Sequence, residues 1–389
     1  MIIKAYKYRL YPSQAQQRLL EQTLETCRRW YNVWLAERKT VYETEKRTVG
    51  KFAQLRKMKD WKRSDSYAAQ VHSHILQVVV QDLDKAFQSF FRRVKAGETP
   101  GYPRFKGRDR FDSFGLKEYG NGFKLNGRRL KLSGMGRLRV RWHRPMEGEI
   151  KTVRIRRQAG KWYVCFACEV NEQPLPSAGR FVGIDVGVHH LLATSDHAIV
   201  DNPHWYRRAQ AKLRILQGKV SRRAMGGSNR RKAVVALQRE HEYISNSRKD
   251  FLIKLVHSLI VRYDFIALED LSISGMVHNH HLSKSILDAG WGYLKQRLAG
   301  KAAEAGRQVF LVNPSYTSKT CSSCGELFPD LSFADRWVDC ACGLSMDRDV
   351  NAALNILRVG QILWSKSPDT GLRLLQEAPP LHRPGVPSG

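Results

Sequence analysis

From residue 181 onward the apolar runs of this chain follow a restrictive succession. Strands are expected over 181–186, 191–195 and 198–201, then a long basic helical stretch over 205–262 and a strand over 265–269. A helix over about 283–305, a strand over 308–312 and a last helix over 349–358 complete it. Short β-branched runs alternating with longer helical stretches describe an α/β unit, a sheet covered by helices. Three acids mark this succession. Asp185 lies inside Val182-Gly183-Ile184-Asp185-Val186-Gly187, Glu269 ends the apolar strand Phe265-Ile266-Ala267-Leu268, and Asp349 opens the last helix in Asp347-Arg348-Asp349-Val350-Asn351-Ala352-Ala353. A charge amid β-branched neighbours is poorly explained by stability alone. Gly183 and Gly187 lack side chains, so a polymer backbone is expected to approach closely there.

The N-terminal half has a different rhythm. Residues 2–11 read as a strand ending at Pro12. Ser13 then starts a helix, with Gln16 three residues on as a capping box. Leu20, Leu24, Cys27, Tyr31 and Trp34 follow at helical spacing, and a second stripe, Leu76, Val80, Leu83, Phe87 and Phe91, marks a long helix near 66–94. Both stripes read as helix core, so 13–95 is expected to be a small helical bundle. The pattern breaks at Ala96-Gly97-Glu98-Thr99-Pro100-Gly101. Short strands then follow, over 123–125, 129–132, 136–141, 151–157 and 162–170. This all-β segment is a candidate barrel that strand 2–11 would join, the helices being an insertion. Pro174-Leu175-Pro176 marks a linker, and a Pro- and Gly-bearing tail from Ser365 reads as mobile.

Charge bounds the partners. There are 66 Lys and Arg against 36 Asp and Glu, a formal net charge of +30. The excess recurs along the chain, at Arg92-Arg93, Arg128-Arg129, Arg156-Arg157, Arg207-Arg208, Arg222-Arg223 and Arg230-Arg231-Lys232. Dispersed charge of this size points to a polyanion met by every domain, because unneutralised repulsion works against a compact fold. No run approaches the roughly 18 apolar residues of a membrane span. The start, Met1-Ile2-Ile3-Lys4, lacks the apolar core of a signal peptide, so a cytoplasmic setting is expected.

Three carboxylates brought together repel unless cations intervene, and Mg²⁺ takes oxygen ligands. Two such ions about 4 Å apart can activate water and stabilise the leaving oxygen of a phosphodiester. Taken singly, Glu269 could pair with a Lys or Arg, Asp185 could cap a turn and Asp349 could be a helix N-cap. Together in this order they suggest a metal-dependent nuclease. Between Glu269 and Asp349 lie Cys321-Ser322-Ser323-Cys324-Gly325 and Cys340-Ala341-Cys342-Gly343. Two thiolate knuckles, each followed by Gly, suit a structural tetrahedral Zn²⁺, although the second has one intervening residue rather than two. Cys165 and Cys168 fall on opposite faces of a strand and read as ordinary packing. His278-Asn279-His280-His281 and His189-His190 read as solvated loops, and no Walker loop or Ser/His/Asp signature is present.

These residues resemble the TnpB (OrfB) family of transposon-encoded, RNA-guided endonucleases related to type V CRISPR effectors. The resemblance runs over nearly the whole chain: Tyr8-Arg9-Leu10-Tyr11-Pro12, Asp82-Leu83-Asp84-Lys85-Ala86-Phe87, Phe90-Phe91-Arg92 and Gly101-Tyr102-Pro103-Arg104-Phe105-Lys106 in the first half. Arg248-Lys249-Asp250-Phe251, Leu268-Glu269-Asp270-Leu271, Asp288-Ala289-Gly290-Trp291 and Asp347-Arg348-Asp349 follow in the second. The resemblance implies an α+β multidomain chain. A β-barrel wedge domain would span 1–12 and 96–176, with a helical recognition bundle, 13–95, inserted. An RNase H-like RuvC nuclease domain would span 177–314 and 345–362, with a zinc ribbon at 315–344 and a disordered tail at 363–389. It selects Asp349 over Asp347 as the third ligand beside Asp185 and Glu269, a choice the sequence pattern leaves open. It further implies Mg²⁺ at those acids, Zn²⁺ at Cys321, Cys324, Cys340 and Cys342, a guide RNA, and double-stranded target DNA beside a short flanking motif. Gln77 falls at a position that resembles a motif-facing Gln, and Arg104, Lys106 and Arg248 are further candidate nucleic-acid contacts. The rival readings are an RNA-guided repressor without nuclease activity and a transposase that joins strands itself.

Overall fold

The structure is a computed structural model that describes residues 1–108, 110–332 and 334–365. It divides into a unit over Met1–Asn171 and a second from Glu172 onward.

In the first unit, β1 (Ile2–Tyr11) leads into α1 (Gln14–Glu45), α2 (Lys51–Ser64), α3 (Ser66–Ala69) and α4 (Ser73–Lys95). Then come β2 (Ser113–Leu116), β3 (Glu118–Tyr119), β4 (Gly122–Asn126), β5 (Arg129–Leu132), β6 (Gly136–Arg141), β7 (Glu149–Gln158) and β8 (Lys161–Val170). These strands form one eight-stranded sheet in the order β2-β7-β8-β1-β6-β5-β4-β3, so β2 and β3 are its outer strands. β1 lies antiparallel between β8 and β6, with Leu10 opposite Trp162 on one side and Val140 on the other. Alternation sets its faces: Tyr6, Tyr8 and Leu10 are buried with Trp162, Val164, Phe166 and Cys168 of β8, and Cys165 points the other way. Four helices thus sit in sequence between two strands of one sheet.

The capping box forms as expected, Gln16 N donating to Ser13 Oγ at 3.3 Å and Ser13 N to Gln16 Oε1 at 3.0 Å. The long helix near 66–94 is two helices. Asp65 caps α3 by accepting from the amides of Tyr67 and Ala68, and His72 Nδ1 accepts from the amide of His74 to start α4. Phe91, assigned to the buried stripe, is 54% exposed. α2 has no apolar stripe, burying Gln54 and Met58, and was not expected from periodicity. Polar bonds hold Gln54: its Nε2 donates to Trp34 O at 2.9 Å and its Oε1 accepts from Arg38 Nε at 3.0 Å. The short strands β2 and β3 were also missed.

The second unit contains β9 (Phe181–Asp185), β10 (His190–Thr194), β11 (Ile199–Asp201), α5 (Trp205–Ser221), α6 (Ser228–Arg262) and β12 (Phe265–Glu269). It continues with α7 (Ile273–Met276), α8 (Ser283–Ala289), α9 (Trp291–Ala305), β13 (Gln308–Val312), β14 (Trp337–Asp339), β15 (Ser345–Asp347) and α10 (Arg348–Ser365). The five-stranded sheet runs β11-β10-β9-β12-β13. β12 lies parallel to both β9 and β13, and β10 lies antiparallel to β9. α6 and α9 supply Leu252, Val256, Leu294 and Leu298 to one apolar layer with Ile184, Ile266 and Leu268; Ile356, Val359 and Leu363 of α10 pack with Phe265, Ala267 and Phe310 in another. The expected helix over 283–305 is interrupted at Gly290, whose φ of +74° is left-handed backbone that favours glycine. The last helix runs to Ser365, so 363–365 are helical and not tail; 366–389 lie outside the described residues. No helix among the described residues is long and apolar enough to cross a membrane.

Gly183 is explained differently from the sequence expectation. A Cβ there would lie 2.1 Å from Ala353 O and 2.6 Å from Leu357 N, so the backbone that approaches is that of α10. Gly360 returns the contact, its added Cβ falling 2.5 Å from Ala267 Cβ. Because the clash at Gly183 is with backbone, no rotamer change relieves it. Gly183→Ala is expected to lower stability by about 3 kcal/mol, the upper end for overpacking, as measured by denaturant unfolding. An unchanged midpoint would refute this account of the glycine.

Candidate active site

β9 and β12 are adjacent and parallel, with Ile184 opposite Leu268. Their last residues, Asp185 and Glu269, therefore leave the sheet side by side. Asp349 stands in the first turn of α10, the helix pressed onto Gly183. The three are 9%, 8% and 7% exposed. Among the described residues no Lys or Arg forms an ion pair with Asp185 or Glu269. Burial pushes the Asp185 carboxyl well above the usual carboxylate range, and the neighbouring charges of Glu269 and then Asp349 push it the same way; Arg348 opposes them. Burial also raises Glu269, against a hydrogen bond from the Thr317 hydroxyl. Arg348 Nη2 lies 3.6 Å from Asp349 Oδ1.

Asp347 has a different task. Its Oδ1 accepts from the amides of Asp349 at 2.8 Å and Val350 at 3.2 Å, which is helix N-capping. The capping role thus falls to Asp347, while the buried carboxylate is that of Asp349. Gly187 faces this group: a Cβ added there would lie 3.9 Å from Asp349 Oδ2 and 2.9 Å from His190 O. Three buried oxygen-donor acids, two of them without an ion pair among the described residues, fit the hard-ligand preference of a divalent ion such as Mg²⁺.

The four cysteines of the ribbon do converge. Their sulfurs all lie within 4.8 Å of one another, Cys321 to Cys342 at 3.7 Å and Cys324 to Cys340 at 3.5 Å. A Zn–S bond of about 2.3 Å would put tetrahedral ligands about 3.8 Å apart, so the set fits Zn²⁺ closely. Both knuckles close on a glycine with left-handed φ, Gly325 at +84° and Gly343 at +90°. Gly325 N donates to Cys321 O, and Gly343 N to Cys340 O. The short second knuckle closes with a bond across three residues where the first closes across four. The Leu344 amide foremost pulls the Cys342 thiol down to about 7, while Cys340, despite the Cys342 amide, is pushed up to about 12 by desolvation and the thiols around it. Such crowding favours a cation that binds thiolates. Among the described residues this is the sole metal-capable cluster of that tightness.

The candidate nucleic-acid contacts divide. Arg104 is exposed, and Lys106 is half-buried with its Nζ 5.5 Å from the Tyr31 ring centroid. Gln77 Oε1 accepts from Lys117 Nζ at 3.1 Å. Arg248 is committed elsewhere: its Nη2 bonds Asp288 Oδ1 at 2.7 Å, and the buried Asp288 carboxylate also accepts from the amide of Tyr206 to start α5. A Cβ on Gly290 would meet Arg248 Cδ at 2.8 Å. Arg248 and the Asp288-Ala289-Gly290 motif thus form one structural node. His278, His280 and His281 fall in the turns between α7 and α8 and gather no acid into a metal cluster among the described residues.

Comparison with known proteins decides the family. Over 98% of its length the chain is 34% identical to a "Putative RNA-guided DNA endonuclease" of Streptomyces pristinaespiralis, covering 95% of that protein. The chain belongs to the TnpB (OrfB) family. An Escherichia coli K12 relative with the same designation is 30% identical, over 92% of each chain. The CRISPR-associated endodeoxyribonuclease Cas12f1 of Sulfoacidibacillus thermotolerans is 28% identical over half of each. Residues 164–280 match the OrfB family model described as a probable transposase, and 291–356 match the Cas12f1-like TNB domain, a span that holds all four cysteines and Asp349. Residues 1–47 match the OrfB helix-turn-helix model; they fold here as β1 and the single helix α1.

Three residues of this region were not singled out from the sequence. Thr317, Asn351 and Asn355 are 1%, 0% and 0% exposed and connect Glu269 to the first knuckle. A signal existed for the asparagines: two amides one helical turn apart, on a helix otherwise lined by Val350, Ala352, Ala353 and Ile356.

Proposed function

We propose that this chain is an RNA-guided, Mg²⁺-dependent endodeoxyribonuclease of the RuvC type, acting in a transposon setting on double-stranded DNA beside a short flanking motif. The observation that carries the reading is the set of buried acids, Asp185, Glu269 and Asp349, two of them without an ion pair among the described residues. Burying charge in this way costs stability, so a role in chemistry is the better account of it. The relatives' designation supplies the substrate class and the guide, and the net charge of +30 suits an RNA–DNA hybrid. Asp185, Glu269 and Asp349 would hold the metal, which when bound supplies charge neutralisation and water activation at a phosphodiester. The apolar strands behind the acids fix their carboxylates and exclude bulk water from that side. A side chain at Gly187 would meet His190 O and stand against Asp349. Cys321, Cys324, Cys340 and Cys342 would hold Zn²⁺ as a structural ion.

In this reading the eight-stranded sheet of 1–12 and 96–176 is the barrel-like wedge, and 13–95 is the recognition bundle. Gln77, Arg104 and Lys106 remain candidate nucleic-acid contacts, and the protein works in the prokaryotic cytoplasm at the nucleoid. The test is to purify the full chain from its host with bound RNA, sequence that RNA, and offer a plasmid matched to it. Cleavage in Mg²⁺ that stops in EDTA is expected. A preparation that carries no RNA, or cutting that persists in EDTA, would sink the proposal.

A further inference from the structure

We infer that Thr317 is a positioning residue for the nuclease reaction: it orients the Glu269 carboxylate and, through Asn355 and Asn351, ties that carboxylate to the helix of Asp349 and to the first zinc knuckle. The inference rests on the proposed metal-dependent nuclease reading. Thr317 opens a single 3-10 turn, Thr317–Lys319, between β13 and the first knuckle. Its hydroxyl donates to Glu269 Oε1. The same oxygen lies 3.0 Å from Pro314 O, but a hydroxyl has one proton, and an ionised carboxylate is the stronger acceptor. One oxygen of Glu269 is thereby engaged, which fixes the plane of the carboxylate and directs the other oxygen away from Thr317.

The turn itself is pinned from α10. Asn355 Nδ2 donates to Thr317 O at 2.9 Å and to Thr320 O at 2.6 Å. Asn351 Nδ2 donates to Thr320 O at 2.8 Å, and its Oδ1 accepts from Ser322 N at 2.8 Å. Asn351 thus grips both residues that flank the buried Cys321. Asp349 stands two residues before Asn351 on the same helix. One rigid assembly therefore fixes two of the three acids and one zinc ligand, and the Thr317 hydroxyl is its link to Glu269. Partners of this kind hold ligand groups in place, and their loss typically costs about 10–100-fold in metal affinity or activity. If the turn served packing alone, a methyl in place of the hydroxyl would be tolerated.

The experiment compares the RNA-loaded complexes of the wild type, Thr317→Val, Thr317→Ser and Asp185→Asn. Three quantities are read: the Mg²⁺ concentration for half-maximal cleavage, Mn²⁺ binding by electron paramagnetic resonance without DNA, and zinc content. Thr317→Val is expected to raise the half-saturating Mg²⁺ and to weaken Mn²⁺ binding by about tenfold or more at unchanged zinc content. Thr317→Ser, which restores the hydroxyl, is expected to lie close to the wild type. Wild-type metal dependence in Thr317→Val, or equal loss in Thr317→Val and Thr317→Ser, overturns the inference. Should Thr317→Val lose zinc, Thr317→Ala removes the hydroxyl without placing a second methyl against Glu269, and is judged by the same criteria. Failure of the nuclease reading is separable: the wild type would then not cut, or Asp185→Asn would cut as well as it does, while Mn²⁺ binding would still report on Thr317.

Discussion

Asp185→Asn is expected to lower single-turnover cleavage by about 10³-fold or more, with binding of guide RNA and matched DNA unchanged. The size follows from what the carboxylate would do. A bound metal contributes several kcal/mol of charge stabilisation, and each 1.36 kcal/mol is tenfold in rate. Asn keeps the shape of Asp but removes the charge that draws the cation. The same change carries a second, opposite signature. Asp185 is buried, forms no ion pair among the described residues, and is pushed up by burial and by Glu269 and Asp349 against the more distant charge of Arg348. Removing that charge removes a like-charge repulsion, so the metal-free variant is expected to melt above the metal-free wild type. Metal should narrow the gap by stabilising the wild type more. Loss of cleavage with gain of stability distinguishes a site built for chemistry from a misfolded variant. Cleavage within a few-fold of wild type, measured on the RNA-loaded complex, would remove Asp185 from the site.

How much of this was legible depends on how local each determinant is. The strands carrying Asp185 and Glu269 were readable because β-branched and apolar runs specify them without help from elsewhere. Ser13 and Gln16 announced α1 for the same reason, since a capping box lies within four residues. α2 escaped because its sequence, Lys51 to Ser64, has no stripe; what docks it is Gln54, a polar residue satisfied by Trp34 and Arg38 across the bundle. Gly183 was expected to admit a polymer backbone, but sequence cannot say whose backbone arrives, and it is that of α10. Arg248 resembled a nucleic-acid contact because a basic residue in a family motif carries no mark of its partner; the partner is Asp288, forty residues on. The choice between Asp347 and Asp349 needed the resemblance, because two acids two residues apart differ only in which one the helix start turns inward. Thr317 was invisible for the most general reason. Its importance lies in a bond to a residue 48 positions away, and a threonine before a knuckle is otherwise unremarked.

The four cysteines proposed to hold zinc are where the second large effect is expected. Cys324→Ser should lose the metal, unfold the ribbon and abolish cleavage, although every carboxylate is intact. The argument begins from how little else holds this segment together. Among the described residues between Tyr316 and Arg348, Cys321 and Val338 are the only buried apolar side chains. Two such side chains contribute roughly 3–6 kcal/mol, far less than the cost of ordering some thirty residues at about 1–2 kcal/mol each. β14 and β15 are three residues apiece and would not form alone. Zinc binding can contribute about 10 kcal/mol or more to such a fold. Once the knuckles open, Ser322 N leaves Asn351 and the turn that holds Thr317 loses its C-terminal anchor. Zinc content by mass spectrometry should fall from one per chain. Amide exchange should quicken through 317–347 and the first turn of α10, and remain slow in β9 and β12. Cleavage should fall with the zinc and resist rescue by excess Mg²⁺, because the missing element is the support of Glu269 and not the supply of its ion. A zinc-free ribbon that still supports wild-type cleavage would show that the acids are held by the sheet and α10 alone.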